Sequence, residues 1–212
     1  MDARSKSLGR RIEICGGIAS GKTTLARALG ETGMTCSFEG FESNPFWSAF
    51  YDDPRGNAFE TEITFLLQHY HQIKQGLRSR PSVLVCDYSL LLDRAYGFST
   101  LPADELPAFL SVYGVIAKRL SSLDLIVHLR CDATEEHARI IRRGREVERT
   151  ATVDLLVRLN AAIEQQLAAP DLDVPILRID SNHLDFTEHG ADRERVVAEV
   201  RQAVHRACRP LS

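Results

Sequence analysis

The sequence predicts an α/β fold, a five-stranded parallel sheet covered on both faces by helices. Three observations carry this expectation. Short apolar runs of strand length recur at residues 11–15, 34–38, 83–86, 125–129 and 175–179. Between them lie longer segments whose apolar residues step by three and four, the helical period. Glycine, acidic or basic residues (Gly16, Glu39, Asp87, Arg130) follow four of the runs. In a parallel sheet those positions form the rim outside the carboxyl ends of the strands, where ligands bind.

The first run ends in Cys15-Gly16-Gly17-Ile18-Ala19-Ser20-Gly21-Lys22-Thr23-Thr24, which fits G-x-x-x-x-G-K-[ST] without a mismatch. A strand before it and a helix after it are the context such a phosphate-gripping loop needs. Its glycines let backbone N–H groups turn inward at a phosphate. Lys22 can reach the β- and γ-phosphates, and the Thr23 hydroxyl is a candidate magnesium ligand. A helix opening at about Lys22 turns its positive end to the same anion. Ile18, Ala19, Ser20 and Thr24 complete the expected nucleotide contact.

That helix continues through residues 24–29, and the second strand ends at Glu39. A short helix is expected at 44–51. A long one follows at 58–77, with Phe59, Ile63, Leu66, Leu67, Tyr70, Ile73 and Leu77 on one side. The third strand runs into Asp87, and helices are expected at 90–95 and 105–120. After the fourth strand comes a helix at 134–143, expected to open at Thr134 as a capping residue with Glu135 and Glu136 in its first turn. A helix at 154–167, the last strand and an amphipathic helix at 193–207 complete the chain. Nothing reads as a repeat or linker, so a single domain over residues 1–212 is expected.

Composition narrows the partners. With 44% hydrophobic residues the chain can fill a core, and a net charge of −3 gives no bulk attraction to nucleic acid or anionic membrane. No segment approaches the ~20 apolar residues of a membrane span. The polar stretch from Met1 to Arg10 lacks the apolar centre of a secretory signal. Five scattered cysteines without a C-x-x-C pair read as reduced thiols in a cytoplasmic protein, not as a metal site.

The rim residues carry the chemistry. A carboxylate at Glu39 can accept the proton of a hydroxyl that attacks a γ-phosphate, although a lone loop glutamate is ordinarily only solvated. Asp87 is placed to hold magnesium, directly or through water, and can also cap the helix that follows. Arg139, Arg142, Arg143 and Arg145 cluster around Gly144. Beside a phosphate loop they read as a lid that neutralises the charge of phosphoryl transfer, although a basic helix end is favourable without any ligand.

From residue 11 to about 186, these motifs in this order resemble the deoxynucleoside kinases. The loop GGIASGKTTL is similar to that family's. Phe38-Glu39-Gly40-Phe41-Glu42-Ser43-Asn44-Pro45 resembles its Glu-Pro-Val-Glu-x-Asn-Pro stretch. Phe50-Tyr51-Asp52-Asp53-Pro54 through Ala58-Phe59 resembles its tyrosine segment before the long helix. Asp87-Tyr88-Ser89 with Asp93-Arg94 is similar to its Asp/Glu-Arg-Ser motif and downstream Asp-Arg. Arg142-Arg143-Gly144-Arg145 with Glu148 resembles its lid, and Asp180 to Phe186 its late loop near the adenine.

The resemblance implies a P-loop kinase fold with an Arg-rich lid and transfer of the γ-phosphate of ATP to the 5′-hydroxyl of a deoxynucleoside. By position, Glu39 would be the base, and Thr23 and Asp87 would serve Mg2+. Lys22, Arg143 and Arg145 would stabilise the transferred group. Tyr51 and Glu148 would bind the sugar 3′-hydroxyl, Asp93 would face the nucleobase, and Asp185 and Phe186 would lie at the ATP end. A homodimer is implied by the resemblance alone.

Three positions depart from the pattern. Tyr88 stands where the family has an arginine, and a neutral phenol does not replace a guanidinium. The nucleobase-reading glutamine falls on Glu62, which when ionised accepts but cannot donate. A nearby arginine falls on His69. Glu62 and His69 either pair with each other or receive a substrate rich in donors, such as a guanine-like edge or a modified nucleoside. Two further readings stay open: a nucleotide-binding subunit without turnover, favoured by Tyr88, and a kinase for another small hydroxyl compound. A GTPase reading lacks an Asn-Lys-x-Asp motif, and a motor-type ATPase reading lacks a glutamate after Asp87.

Overall fold

Alternation along β1 (Arg10–Gly16) sorts its side chains between the two faces of the sheet. Ile12 and Ile14 point to one face, and Arg11, Glu13 and Cys15 to the other, all of them buried. The computed structural model describes residues 9–120, 123–187 and 189–208. The polar stretch up to residue 8, expected to carry no secretory signal, lies outside the described residues.

β1 is the central strand. It bonds β3 (Val83–Cys86) on one side and β4 (Leu125–Arg130) on the other, with β2 (Thr35–Ser37) and β5 (Ile176–Asp180) at the edges. All pairs are parallel, and the order is β2-β3-β1-β4-β5. The five expected strands are all present, within two residues at each end.

Parallel neighbours require crossovers, and the helices supply them on both faces. One face carries α1 (Lys22–Glu31) and α8 (Arg193–Ala207), where Leu25, Leu29, Val196 and Val200 meet Ile12, Ile14 and Val127. The other carries α3 (Pro54–Arg78), α4 (Leu90–Thr100), α5 (Leu106–Arg119) and α7 (Val153–Leu167). Leu66, Ile73, Leu84 and Phe109 fill the part under α3 and α5, and Leu91, Ile126 and Ile163 the part under α4 and α7. Burying one such Leu or Ile is worth about 1.5–3 kcal/mol.

α2 (Trp47–Asp52) leads to α3, which starts at Pro54 behind an Asp53 cap that accepts the Gly56 N–H at 3.1 Å. α4 runs to Thr100, beyond the expected end at residue 95. α6 (Ala133–Arg143) does not open on Thr134. Asp132 holds the extended N-cap position without a side-chain cap, and its own N–H goes to Asn182 Oδ1 at 2.8 Å. Thr134 therefore falls inside the first turn. The five thiols are free, with Cys15, Cys86 and Cys131 buried. No helix among the described residues is long and apolar enough to cross a membrane.

The central strand also buries an ion pair. Glu13 is fully buried and faces Arg11 Nε at 3.2 Å. Its other oxygen accepts the Ser89 hydroxyl at 2.8 Å and the Leu90 N–H at 3.1 Å. The N-terminus of α4 is thus fastened to the middle of the sheet by a carboxylate.

Candidate active site

At the carboxyl ends of β1 and β3 the chain encloses a cavity of about 550 Å3. The phosphate loop closes one end. Lys22 folds back and donates to the carbonyls of Gly16 at 2.9 Å and Gly17 at 2.8 Å. Gly17 is needed because a Cβ there would run into the Glu136 carboxylate and lie 2.6 Å from Asn160 Oδ1. Gly21, at φ 106°, turns the chain into α1 over the Phe186 ring. Burial pushes Glu136 up to about 8, against the pull of its bond from Asn160.

The residues fit a nucleotide. α1 begins without a side-chain cap, so among the described residues its first N–H groups have no capping partner where Gly21, Lys22, Thr23 and Thr24 line the cavity. Ile18 and Ala19 line it too, whereas Ser20 is buried in the loop. Phe186 packs in the core beneath Gly21, and Asp185 accepts the Thr187 N–H at 3.1 Å and hydroxyl at 2.7 Å. Neither lines the cavity; Thr187 does.

Glu39 and Asp87 are cross-linked. The Glu39 N–H donates to Asp87 Oδ1 at 2.6 Å, and the Asp87 N–H to the Ser37 carbonyl at 3.1 Å. Burial raises the Asp87 carboxyl, partly countered by the Thr23 hydroxyl and the Glu39 N–H. Burial also works to raise Glu39, but His69, Lys22 and Arg145 outweigh it and hold the carboxyl below its ordinary value. The Glu39 side chain is 33% exposed. Among the described residues no group of three His, Cys, Asp or Glu is arranged around a metal. Thr23 and Asp87 offer one hydroxyl and one carboxylate, a set that suits magnesium, which keeps waters and phosphate oxygens as its other ligands.

The lid follows α6. Arg143 and Arg145 both bond the buried Glu148, Arg145 at 3.1 Å. The Arg145 guanidinium also lies 4.1 Å over the Phe41 ring. Arg139 donates instead to the carbonyls of Ser181 at 2.6 Å and Asn182 at 3.1 Å, and so bolts α6 to the loop after β5. Arg130 stands on the rim but faces Asp180 at 3.4 Å, outside the cavity. Tyr51, whose phenol burial pushes well above its ordinary value, meets Trp47 and Phe50 edge-on.

The far end is formed by α3 and α4. Glu62, Phe65 and His69 share one face of α3, and Asp93, Tyr96 and Thr100 one face of α4. Glu62 and His69 do not pair. His69 Nδ1 meets Asp93 Oδ1 at 2.8 Å and Oδ2 at 3.0 Å, and its Nε2 lies 3.4 Å from Glu39 Oε1. Burial works against the imidazolium, but Asp93 and Glu39 overcome it and lift His69 to about 10. Glu62 accepts only the Thr100 hydroxyl, at 3.3 Å, among the described residues. Burial, then the charge of Asp93, pushes Glu62 up to about 8. Tyr88 is 1% exposed, bonds the Ser37 hydroxyl at 2.8 Å and stacks its ring on His69. Trp47, Phe65 and Tyr96 line the cavity without having been singled out in the sequence. Helical spacing from Asp93 and Glu62 was the available signal for Tyr96 and Phe65, but aromatic residues at such spacing also read as core.

A phosphate loop on the central strand, a rim carboxylate and an arginine lid define a nucleotide-dependent phosphotransferase. Comparison with known proteins narrows that class. The deoxynucleoside kinase pattern matches residues 12–205, and the chain belongs to that family, phosphotransferases acting on a nucleoside hydroxyl. It is 27% identical over 200 residues to the deoxyguanosine kinase of Bacillus subtilis (strain 168), covering 91% of this chain and 97% of that one. It is 28% identical over 205 residues to the deoxyadenosine kinase of Dictyostelium discoideum, covering 92% and 82%. Among solved structures, deoxyadenosine kinase from M. mycoides with dCMP and dCDP bound superposes with a TM-score of 0.78 at 21% identity, covering 92% of this chain and 98% of that one. The same enzyme with bound dATP gives 0.76 at 21%, covering 92% and 99%. The solved structures bear out the fold. The family match favours a kinase over a subunit without turnover.

Proposed function

We propose that the chain transfers the γ-phosphate of ATP to the 5′-hydroxyl of a deoxynucleoside, with Glu39 as general base. The observation that carries this is the convergence of Lys22, Glu39, Arg143, Arg145 and Glu62 on one cavity. Bound magnesium–ATP supplies the phosphoryl group and an ion that neutralises its charge. Lys22 and the first turn of α1 hold the phosphates, and Thr23 and Asp87 serve the metal. Glu39 takes the proton of the hydroxyl; its lowered carboxyl keeps it ionised and one-third exposure leaves it reachable, although the lowering costs it base strength. Arg143 and Arg145 balance the charge that spreads over the transferred group. Tyr51 and Glu148 hold the sugar 3′-hydroxyl.

Glu62 faces the nucleobase. Burial keeps its proton on, and hydrogen-bond donors on a base would favour its ionised form, so a donor-bearing base, guanine first, suits it best. The Bacillus relative is a deoxyguanosine kinase, which supports the same choice. Lys22→Ala and Glu39→Gln are each expected to lower turnover ~100-fold or more. Near-normal turnover in Glu39→Gln would remove the base assignment. A substrate panel in which deoxyadenosine or deoxycytidine is clearly best would remove the guanine reading. A homodimer in the cytoplasm belongs to the same proposal. Exposed Phe98, Val112 and Val115 on α4 and α5 leave apolar surface for pairing, and light scattering decides it.

A further inference from the structure

His69 borders the cavity, yet its side chain is only 5% exposed. The Tyr88 ring lies over one part of it, with centroids 4.4 Å apart and planes 11° apart. The Phe65 ring stacks at 5.8 Å and 24°. Along the edge, Nδ1 meets both oxygens of Asp93. Nε2 lies at ion-pair distance from Glu39 Oε1, 3.4 Å, and has no hydrogen-bond partner among the described residues.

An ionised carboxylate offers only lone pairs, so a ring nitrogen that faces one must carry a hydrogen. His69 faces a carboxylate from each nitrogen. The doubly protonated ring is the form that turns a proton toward both carboxylates, and the stacked aromatic faces favour the cation as well. Lys22 and Arg145 act on Glu39 from a distance, and His69 is the cation in contact with it. Among the described residues no lysine or arginine pairs with Glu39: Lys22 is turned to loop carbonyls, and Arg143 and Arg145 to Glu148. Tyr88 carries no charge, and its hydroxyl is engaged with Ser37.

We propose that His69 is the positioning residue of the base: an imidazolium wedged between Asp93 and Glu39, it fixes Glu39 Oε1 and leaves Oε2 for the acceptor hydroxyl. This rests on Glu39 being the base. In the reaction the hydroxyl proton passes to Glu39, and His69 keeps both of its own. The cation thereby stands in for an arginine at position 88, and the Tyr88 ring holds it in plane. Asp93 is engaged in the same contact, which leaves Glu62 as the carboxyl at the nucleobase end that is not paired with His69.

Two measurements test this. In histidine-labelled wild type, the nitrogen NMR signals of His69, assigned by their absence in His69→Asn, should show both ring nitrogens protonated at about pH 8, above the ordinary histidine range. A neutral ring there overturns the proposal. With ATP and deoxyguanosine as probes, His69→Asn should lower kcat ~100-fold and change the nucleoside KM less than ~3-fold. Unchanged kcat with a raised KM makes His69 a nucleobase contact and also overturns it. If the variant fails to fold, the wild-type spectrum, assigned by its coupling to Asp93 and Tyr88, still decides. A wild type that phosphorylates no deoxynucleoside removes the function beneath the proposal, a result distinct from a variant that keeps its kcat.

Discussion

Glu13 is a position where a single substitution should harm the fold severely. Replacing it with leucine leaves Arg11, 5% exposed, as a buried cation without its partner. Breaking a buried pair by removing one member costs about 3–5 kcal/mol. The Ser89 hydroxyl and Leu90 N–H lose their acceptor in the same step. For a chain of this length each kcal/mol moves Tm by about 2–4 °C, so Glu13→Leu should lower Tm by about 6–20 °C. The double variant Arg11→Met/Glu13→Leu removes both charges, and apolar replacement of a buried pair is commonly neutral or stabilising. It should recover most of that loss. Thermal unfolding followed by circular dichroism, at one protein concentration and without nucleotide, reads all three proteins. A single variant within about 2 °C of wild type, or a double variant no better than the single, refutes the argument that the pair is buried and mutually dependent.

Other perturbations should read out separately. Gly17→Ala forces a methyl against Glu136 and Asn160, and overpacking of this kind costs about 1–3 kcal/mol. Calorimetry should show weakened ATP binding, and an unchanged affinity would mean that the loop absorbs the methyl. Native Glu62 holds its proton up to about 8, whereas the unfolded side chain releases it near 4.5. The native state then binds the extra proton between those values. Stability contributed by neutral Glu62 is present below the lower value and is lost as pH rises to the upper one, by ~1.4 kcal/mol per unit of the displacement. Glu62→Gln should flatten that decline in Tm measured against pH, and an identical decline in both proteins would show that Glu62 is ionised.

The strands were legible because fully buried parallel strands read as short apolar runs, and the loop because its glycines and lysine have few other uses. Arg11 and Glu13 lie inside such a run, where two charged residues look like ordinary edges of a strand. Nothing local says that both point into the protein. Thr134 looked like a cap because it precedes two glutamates, but the turn is set from outside by Asn182. The rim carboxylates were readable from their places after strands. The partner of His69 was not. Glu62 lies on the same helix face and is the natural local choice, but the packing of α4 against α3 brings Asp93 to the ring instead. Phe186 sits in a loop expected at the ATP end, yet the turn into α1 brings Gly21 over its ring, which packs in the core instead.

The bond from the Glu39 N–H to Asp87 bears on how substitutions in this pocket should be interpreted. β2 is an edge strand of three residues, and Asp87 holds the chain where it leaves that strand. Truncating Asp87 therefore removes a carboxylate and also unmoors the backbone of Glu39. The loss of rate it causes is not a measure of metal binding, and substitutions at the two positions will not add. Asp87→Asn, whose amide oxygen can still receive that N–H, is the change that separates the charge from the tether.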